Sequence, residues 1–202
     1  MSRTNIALID YGMGNLRSVT KMLFSVGVFP TVTSDADEIR KADKIILPGV
    51  GSFAQARANL EKLDIIEVLE EQVRGAGKAY LGICLGMQLL ASESLEGGTT
   101  QGLDWIAGQV NPIERGPNMS VPHMGWNDIA IKKKTELFLD FQGDPTFYFC
   151  HSYNMTCRDE ADVVATSEYG GAVVAAVQRD NIFGTQFHPE KSQTHGRILM
   201  EN

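Results

Sequence analysis

Three short apolar runs limit what the first half of this 202-residue chain can become. Asn5–Asp10 (NIALID) leads into the turn Asp10-Tyr11-Gly12, Lys44–Leu47 (KIIL) into Pro48-Gly49, and Ala79–Cys84 (AYLGIC) directly into Leu85. Helical stretches fill the gaps. One begins near Asn15, carries Leu16, Val19, Leu23 and Val26 at helical spacing, and stops at Gly27. Ser52 can cap a second, a third runs through Asp64–Arg74, and a fourth covers Leu85–Ala91. Strands alternating with helices predict a parallel sheet covered on both faces. After Gly97-Gly98 the pattern changes. Phe147–Cys150, Val163–Ser167, Ala172–Gln178 and Ile182–Phe187 read as short strands, divided by turns such as Gly170-Gly171 and Asp180-Asn181. The expected fold is α/β: a three-layer sandwich with a mixed, mainly parallel central sheet, its second half richer in antiparallel strands. No linker, repeat or low-complexity tract interrupts the chain, so residues 1–202 are expected to form a single domain.

Composition narrows the function classes. A formal net charge of −7 argues against non-specific nucleic-acid binding. Three cysteines, Cys84, Cys150 and Cys157, are too few and too odd for a disulfide framework. Met1–Asn5 lacks an apolar leader segment, and no run approaches the ~20 apolar residues of a membrane span. A cytoplasmic protein is expected.

The segment Gly82-Ile83-Cys84-Leu85-Gly86 has the form G-x-C-x-G where a strand becomes a helix. The same layout with serine makes the nucleophile elbow of hydrolases, a strained turn that presents the nucleophile at the end of the sheet. Helix-start N–H groups favour thiolate and oxyanion, and Leu85 N–H is a natural oxyanion donor. Taken alone, the motif also describes an inert buried thiol between packing glycines. Cys150 is expected in a strand core and Cys157 in a loop.

A nucleophilic cysteine needs a base, commonly oriented by a third group. Of four histidines, His188 stands out in Gln186-Phe187-His188-Pro189-Glu190-Lys191-Ser192. In an extended segment residues i and i+2 face one way, which puts Glu190 beside His188, and Pro189 keeps the backbone out of helix. A carboxylate there selects the imidazole tautomer and favours the imidazolium. A surface histidine beside a solvated glutamate remains the plain alternative.

Taken with Pro48-Gly49-Val50-Gly51-Ser52-Phe53, these two segments resemble the three signature blocks of class-I (triad) glutamine amidotransferases, in the family's order. Asp10-Tyr11-Gly12-Met13-Gly14-Asn15-Leu16 and Pro122-His123-Met124-Gly125-Trp126-Asn127 are similar to the branch that serves imidazole glycerol phosphate synthase in histidine biosynthesis. The resemblance implies that Cys84, His188 and Glu190 are catalytic, hydrolysing L-glutamine through a thioester. It implies oxyanion donors at Val50, Gly51 and Leu85, and substrate contacts at Gly49, Gly86 and Gln88. Asn15, Trp126, Tyr153 and Lys191 match positions near the family's subunit interface or signalling path. Trp126 also reads as a core or exposed anchor aromatic, and Tyr153 as a packed strand-end residue.

No cofactor is expected. Gly12-x-Gly14 lacks the third glycine of a dinucleotide fingerprint, because position 17 is Arg17. No metal is expected either, since His123, His151 and His195 have no ligand spacing with the cysteines. Ammonia in neutral water is mostly protonated and loses its nucleophilicity, so it must travel shielded. The glutaminase fold uses the whole chain, so a separate subunit is expected. The resemblance implies a (β/α)-barrel cyclase in a heterodimer. The alternatives are a glutaminase subunit for anthranilate or aminodeoxychorismate synthesis, a free-standing cysteine hydrolase of γ-glutamyl amides, and a non-catalytic interaction protein.

Overall fold

The computed structural model describes residues 4–114, 116 and 119–202; Met1–Arg3, part of the stretch read above as leaderless, lie outside the described residues. The parallel strands are β1 (Ile6–Ile9), β2 (Thr31–Thr33), β3 (Lys44–Gly49) and β4 (Ala79–Cys84). With them alternate α1 (Leu16–Ser25), α2 (Ala36–Lys41), α3 (Phe53–Lys62), α4 (Ile66–Glu70) and α5 (Leu85–Gln88). Then come β5 (Glu93–Ser94), β6 (Thr100–Gln101), β7 (Gly108–Pro112), β8 (His123–Ile131), β9 (Thr146–His151) and β10 (Tyr153–Cys157). The chain closes with β11 (Val163–Glu168), β12 (Ala172–Arg179), β13 (Ile182–Thr185) and α6 (Gln193–Glu201).

A nine-stranded sheet has the order β2-β1-β3-β4-β13-β12-β11-β8-β9. Its first five strands are parallel and the rest antiparallel, as the sequence pattern predicts. Beside it lies a four-stranded sheet, β10-β7-β5-β6, which that pattern does not reveal. Strands β5 and β6 have two residues each and β7 (GQVNP) buries only Val110, so three of the sheet's four strands lack a run of alternating apolar residues; β10 alternates through Tyr153, Met155 and Cys157.

Pleating divides the core between two faces. Ala7, Ile9, Ile45, Leu47 and Tyr80 pack with Ile39, Phe53, Leu60, Leu69 and the small sheet's Val110 and Met155. Ile6, Leu8, Ile46 and Ile83 face the opposite way, onto Val19 and Leu23 of α1. Both faces are therefore dry, which explains why these strands read as continuous apolar runs. Full burial of side chains such as Leu8 or Leu47 contributes about 2 kcal/mol each.

The helix after Cys84 is shorter than Leu85–Ala91. The carbonyls of Leu89, Leu90 and Ala91 accept from the backbone N–H groups of Leu103, Trp105 and Asp104, which ends the helical ladder. Strand β13 likewise stops at Thr185, because Gln186 N–H turns to Ala175 O and His188 N–H to Tyr148 O. Cys157 is not in a loop: it ends β10, paired with Gly108. Cys150 lies on β9 as expected, but only half-buried.

Candidate functional site

The C-terminal ends of adjacent strands converge on one cavity, the usual ligand position in open α/β sheets. Gly49 at the end of β3 pairs with Cys84 at the end of β4, and Thr185 at the end of β13 pairs with Ile83. The cavity has a volume of about 310 Å³. Cys84, Val50, Gly51, Leu85, Gln88, Tyr153, His188 and Lys191 line it, with Glu96 and Cys150. A larger cavity, about 460 Å³, opens at the other ends of these strands, but neither cysteine nor histidine lines it.

Cys84 is buried at φ +54°, ψ −108°, a conformation costly for a residue with a Cβ. The surrounding packing enforces it. A Cβ at Gly82 would overlap the Gly86 carbonyl, and one at Gly86 the Leu47 carbonyl. Gly86 is thus the close-approach point that seats α5 on β3, and its own carbonyl accepts from Tyr80 Oη at 3.2 Å. Tyr11 Oη crowds Gly49 from below the turn, and burial, then the Cys84 charge, push its phenol pKa up.

His188 Nδ1 and Glu190 Oε1 are 2.8 Å apart, both side chains almost fully buried. Burial alone lowers the imidazole's pKa. The charge and hydrogen bond of Cys84, then those of Glu190, outweigh it and raise the value to about 10. With Nδ1 committed to Glu190, Nε2 is left for the sulfur. Cys84 Sγ lies 4.0 Å from the Cys150 carbonyl and 3.7 Å from Gln186 Nε2. Gln88 Nε2 donates to Tyr153 O and to Gln186 Oε1, both at 3.0 Å.

Three features here carried no sequence signal of their own. Glu96 is the acidic group on the cavity wall, its Oε2 accepting from Phe53 N at 2.6 Å. No motif surrounds it. Gln186 lies inside a quoted motif but next to more conspicuous chemistry. His123 and His151 sit opposite each other on β8 and β9, with Nδ1 of the first 3.0 Å from Nε2 of the second. Asn127 Nδ2 donates to Glu168 O and meets His123 Nε2 at 3.2 Å, while His151 Nδ1 meets Tyr153 O at 2.7 Å. Backbone carbonyls at both ends therefore fix the tautomers: each ring carries its proton on Nδ1. Burial lowers both pKa values to about 4.

The remaining sequence-derived positions scatter. Asn15 caps α1, accepting from Ser18 N at 3.2 Å. Trp126 is half-exposed on β8, edge-on to Tyr148 at 6.1 Å, and Lys191 Nζ lies 5.7 Å from the Tyr148 ring centre. This aromatic path leads from the β8 surface to the cavity. Met124 and Trp126 project together from β8, and Val50 is also exposed. Among the described residues, no group of three or more potential ligands could hold a metal, and no helix is long and apolar enough to cross a membrane.

The family model "Glutamine amidotransferase class-I" matches residues 7–202. "Imidazole glycerol phosphate synthase subunit HisH 1" of Campylobacter jejuni (strain RM1221) is 48% identical over 197 residues, which cover 98% of either chain. "Imidazole glycerol phosphate synthase subunit HisH" of Caulobacter vibrioides is 46% identical over 204 residues, covering 98% of this chain and 96% of that one. Among solved structures, "Structure of PurLQS from Thermotoga maritima" shares the fold with a TM-score of 0.73 at 20% identity, covering 99% of this chain and 97% of that one.

Proposed function

The chain belongs to the class-I glutamine amidotransferases, and from that premise we propose that it is the glutaminase subunit of imidazole glycerol phosphate synthase in histidine biosynthesis, with Cys84, His188 and Glu190 as its catalytic triad. One observation carries the reading: a strained, buried cysteine shares a cavity with a histidine whose far nitrogen is held by a buried carboxylate. Single-domain organisation and a cytoplasmic setting fit this reading.

In the proposed cycle the Cys84 thiolate attacks the side-chain carbonyl carbon of glutamine. A C–S bond forms and the carbonyl π pair moves to oxygen, where N–H groups of Leu85 and the Val50–Gly51 segment receive it. Collapse breaks the C–N bond as His188 gives its proton to the departing nitrogen, releasing ammonia. Neutral His188 then takes a proton from water attacking the thioester. The C–S bond breaks, glutamate leaves, and thiolate and imidazolium are restored. Glu190 holds the tautomer and favours the charged ring throughout. Glu96 supplies the carboxylate that the substrate's α-ammonium requires, with Gln88 and the turn at Gly49 and Gly86 shaping the pocket.

The relatives are named as subunits of a synthase, which supports a partner subunit, and a (β/α)-barrel cyclase that receives the ammonia in a heterodimer fits this reading. Met124, Trp126 and Val50 would supply apolar contacts beside the cavity, with Asn15, Tyr153 and Lys191 on the coupling route. Low activity alone and strong stimulation by the liganded cyclase are expected. Glutamate release measured with and without that partner tests this, and equal rates would remove the gating claim. Retention of glutaminase activity in Cys84→Ala would overturn the whole assignment.

A further inference from the structure

The route from Tyr153 to the nucleophile has a single allowed polarity. Tyr153 O is a backbone carbonyl and can only accept. Gln88 must therefore turn its NH₂ group toward it, and that same NH₂ reaches Gln186. Gln186 must present its oxygen to Gln88, so its own NH₂ faces Cys84 Sγ at 3.7 Å. Gln186 is fully buried, as Gln88 nearly is. A buried amide of fixed orientation beside a reacting sulfur is a donor set in advance.

Building on the reading of Cys84 as the nucleophile, we propose that Gln186 is a further catalytic residue: its side-chain N–H donates to the Cys84 thiolate and aims it, while Gln88 and the Tyr153 carbonyl hold that N–H in place. The protonated and ionised sulfur use the surroundings differently. A thiol proton can point to the Cys150 carbonyl at 4.0 Å. The thiolate has no use for that acceptor and keeps donors in Gln186 and His188. Gln186 is neutral at every working pH. It favours thiolate without consuming a proton, and leaves the His188 proton for the departing nitrogen. Hydrogen bonds to charged groups are about twice as strong as neutral ones, and burial strengthens them further.

The test is the pH dependence of Cys84 alkylation by iodoacetamide, a readout that packing alone does not move. Gln186→Met keeps the bulk and removes the donor; Gln186→Glu keeps the acceptor facing Gln88 and replaces the donor with an oxygen. Each should raise the alkylation midpoint by about one to two pH units and lower kcat/KM roughly ten- to a hundredfold. The other titratable groups around the sulfur are His188 with its partner Glu190, Tyr11, Cys150, His151, Tyr153, Glu96 and Lys191; both variants leave them in place, and peptide mapping separates alkylation of Cys84 from that of Cys150. An unchanged midpoint in either folded variant overturns the proposal. Wild-type protein gives an independent reading when its glutamine side-chain nitrogens are labelled. One NH₂ resonance pair should shift with the alkylation midpoint and stay still in Cys84→Ala; absence of that shift overturns the proposal even if both variants misfold. Loss of the glutaminase assignment is a separate outcome, because alkylation reports on the sulfur whatever its substrate.

Discussion

Two buried histidine sites stand on the same half of this molecule, and they are tuned in opposite directions. His188 is 2% exposed, and His123 and His151 are 2% and 6% exposed. Desolvation opposes the charged ring at all three. At His188 the charge and hydrogen bond of Cys84, then those of Glu190, reverse the outcome and carry the pKa to about 10. At the β8–β9 pair the partners are an amide, a carbonyl and another imidazole, and the values fall to about 4. Depth does not decide the protonation state; the charge of the partner does.

The contrast can be broken at several points. The largest effect is expected from Cys84→Ala, which removes one pole of the charged site. Glutaminase turnover in the presence of the cyclase should fall by roughly ten-thousandfold or more. Next is Glu190→Gln. It keeps the shape, deletes the charge, and should cost roughly a hundred- to ten-thousandfold in kcat. Proton NMR should find His188 titrating below its wild-type value of about 10 in this variant.

The neutral pair sets the acid side of stability. The unfolded rings take up protons near pH 6.5, whereas the folded ones resist until about 4. The unfolded state therefore binds more protons in that window, and stability falls as pH drops from about 6.5 to 4. For His151 alone the loss is on the order of 3 kcal/mol. Denaturant titrations at stepped pH measure it, and a flat profile across this window would refute the assignment. His188 acts on the other side: stability from its charged form is complete below about pH 6.5 and fades as pH rises through about 10. The smallest effect is expected from Asn127→Ala. It leaves the buried His123 Nε2 without its donor, while the Tyr153 carbonyl still fixes the tautomers, and should cost about 1 kcal/mol, or a few degrees in Tm.

The two sites also differ in how legible they were. His188 and Glu190 do meet, as their spacing suggests, but not along an extended segment: Pro189–Lys191 form a 3₁₀ turn, in which Lys191 N–H bonds back to His188 O and Glu190 reaches the ring. Cys84 announces itself through flanking glycines, whose lack of side chains the tight turn uses directly. His123 and His151 lie 28 residues apart and meet only because β8 and β9 pair in that register, which no local pattern specifies. The same reasoning separates the sheets. Strands β1, β3 and β4 are buried on both faces and stand out as apolar runs, while β5 and β6 have two residues each and are held by their neighbours. Glu96 and Gln186 owe their positions to tertiary contacts alone.

The place of β13 in the large sheet has a consequence for biosynthesis. It fills the slot between β4 and β12, yet its residues emerge from the ribosome about a hundred positions after the cysteine strand. Until they arrive, β4 has one open edge and the thiol no imidazole beside it. A nascent or truncated polypeptide thus carries an unarmed sulfur and a sticky flank that invites wrong pairing. The last strand to be made closes that flank and leads His188 to the sulfur together, so on the proposed triad turnover would report that the large sheet is complete.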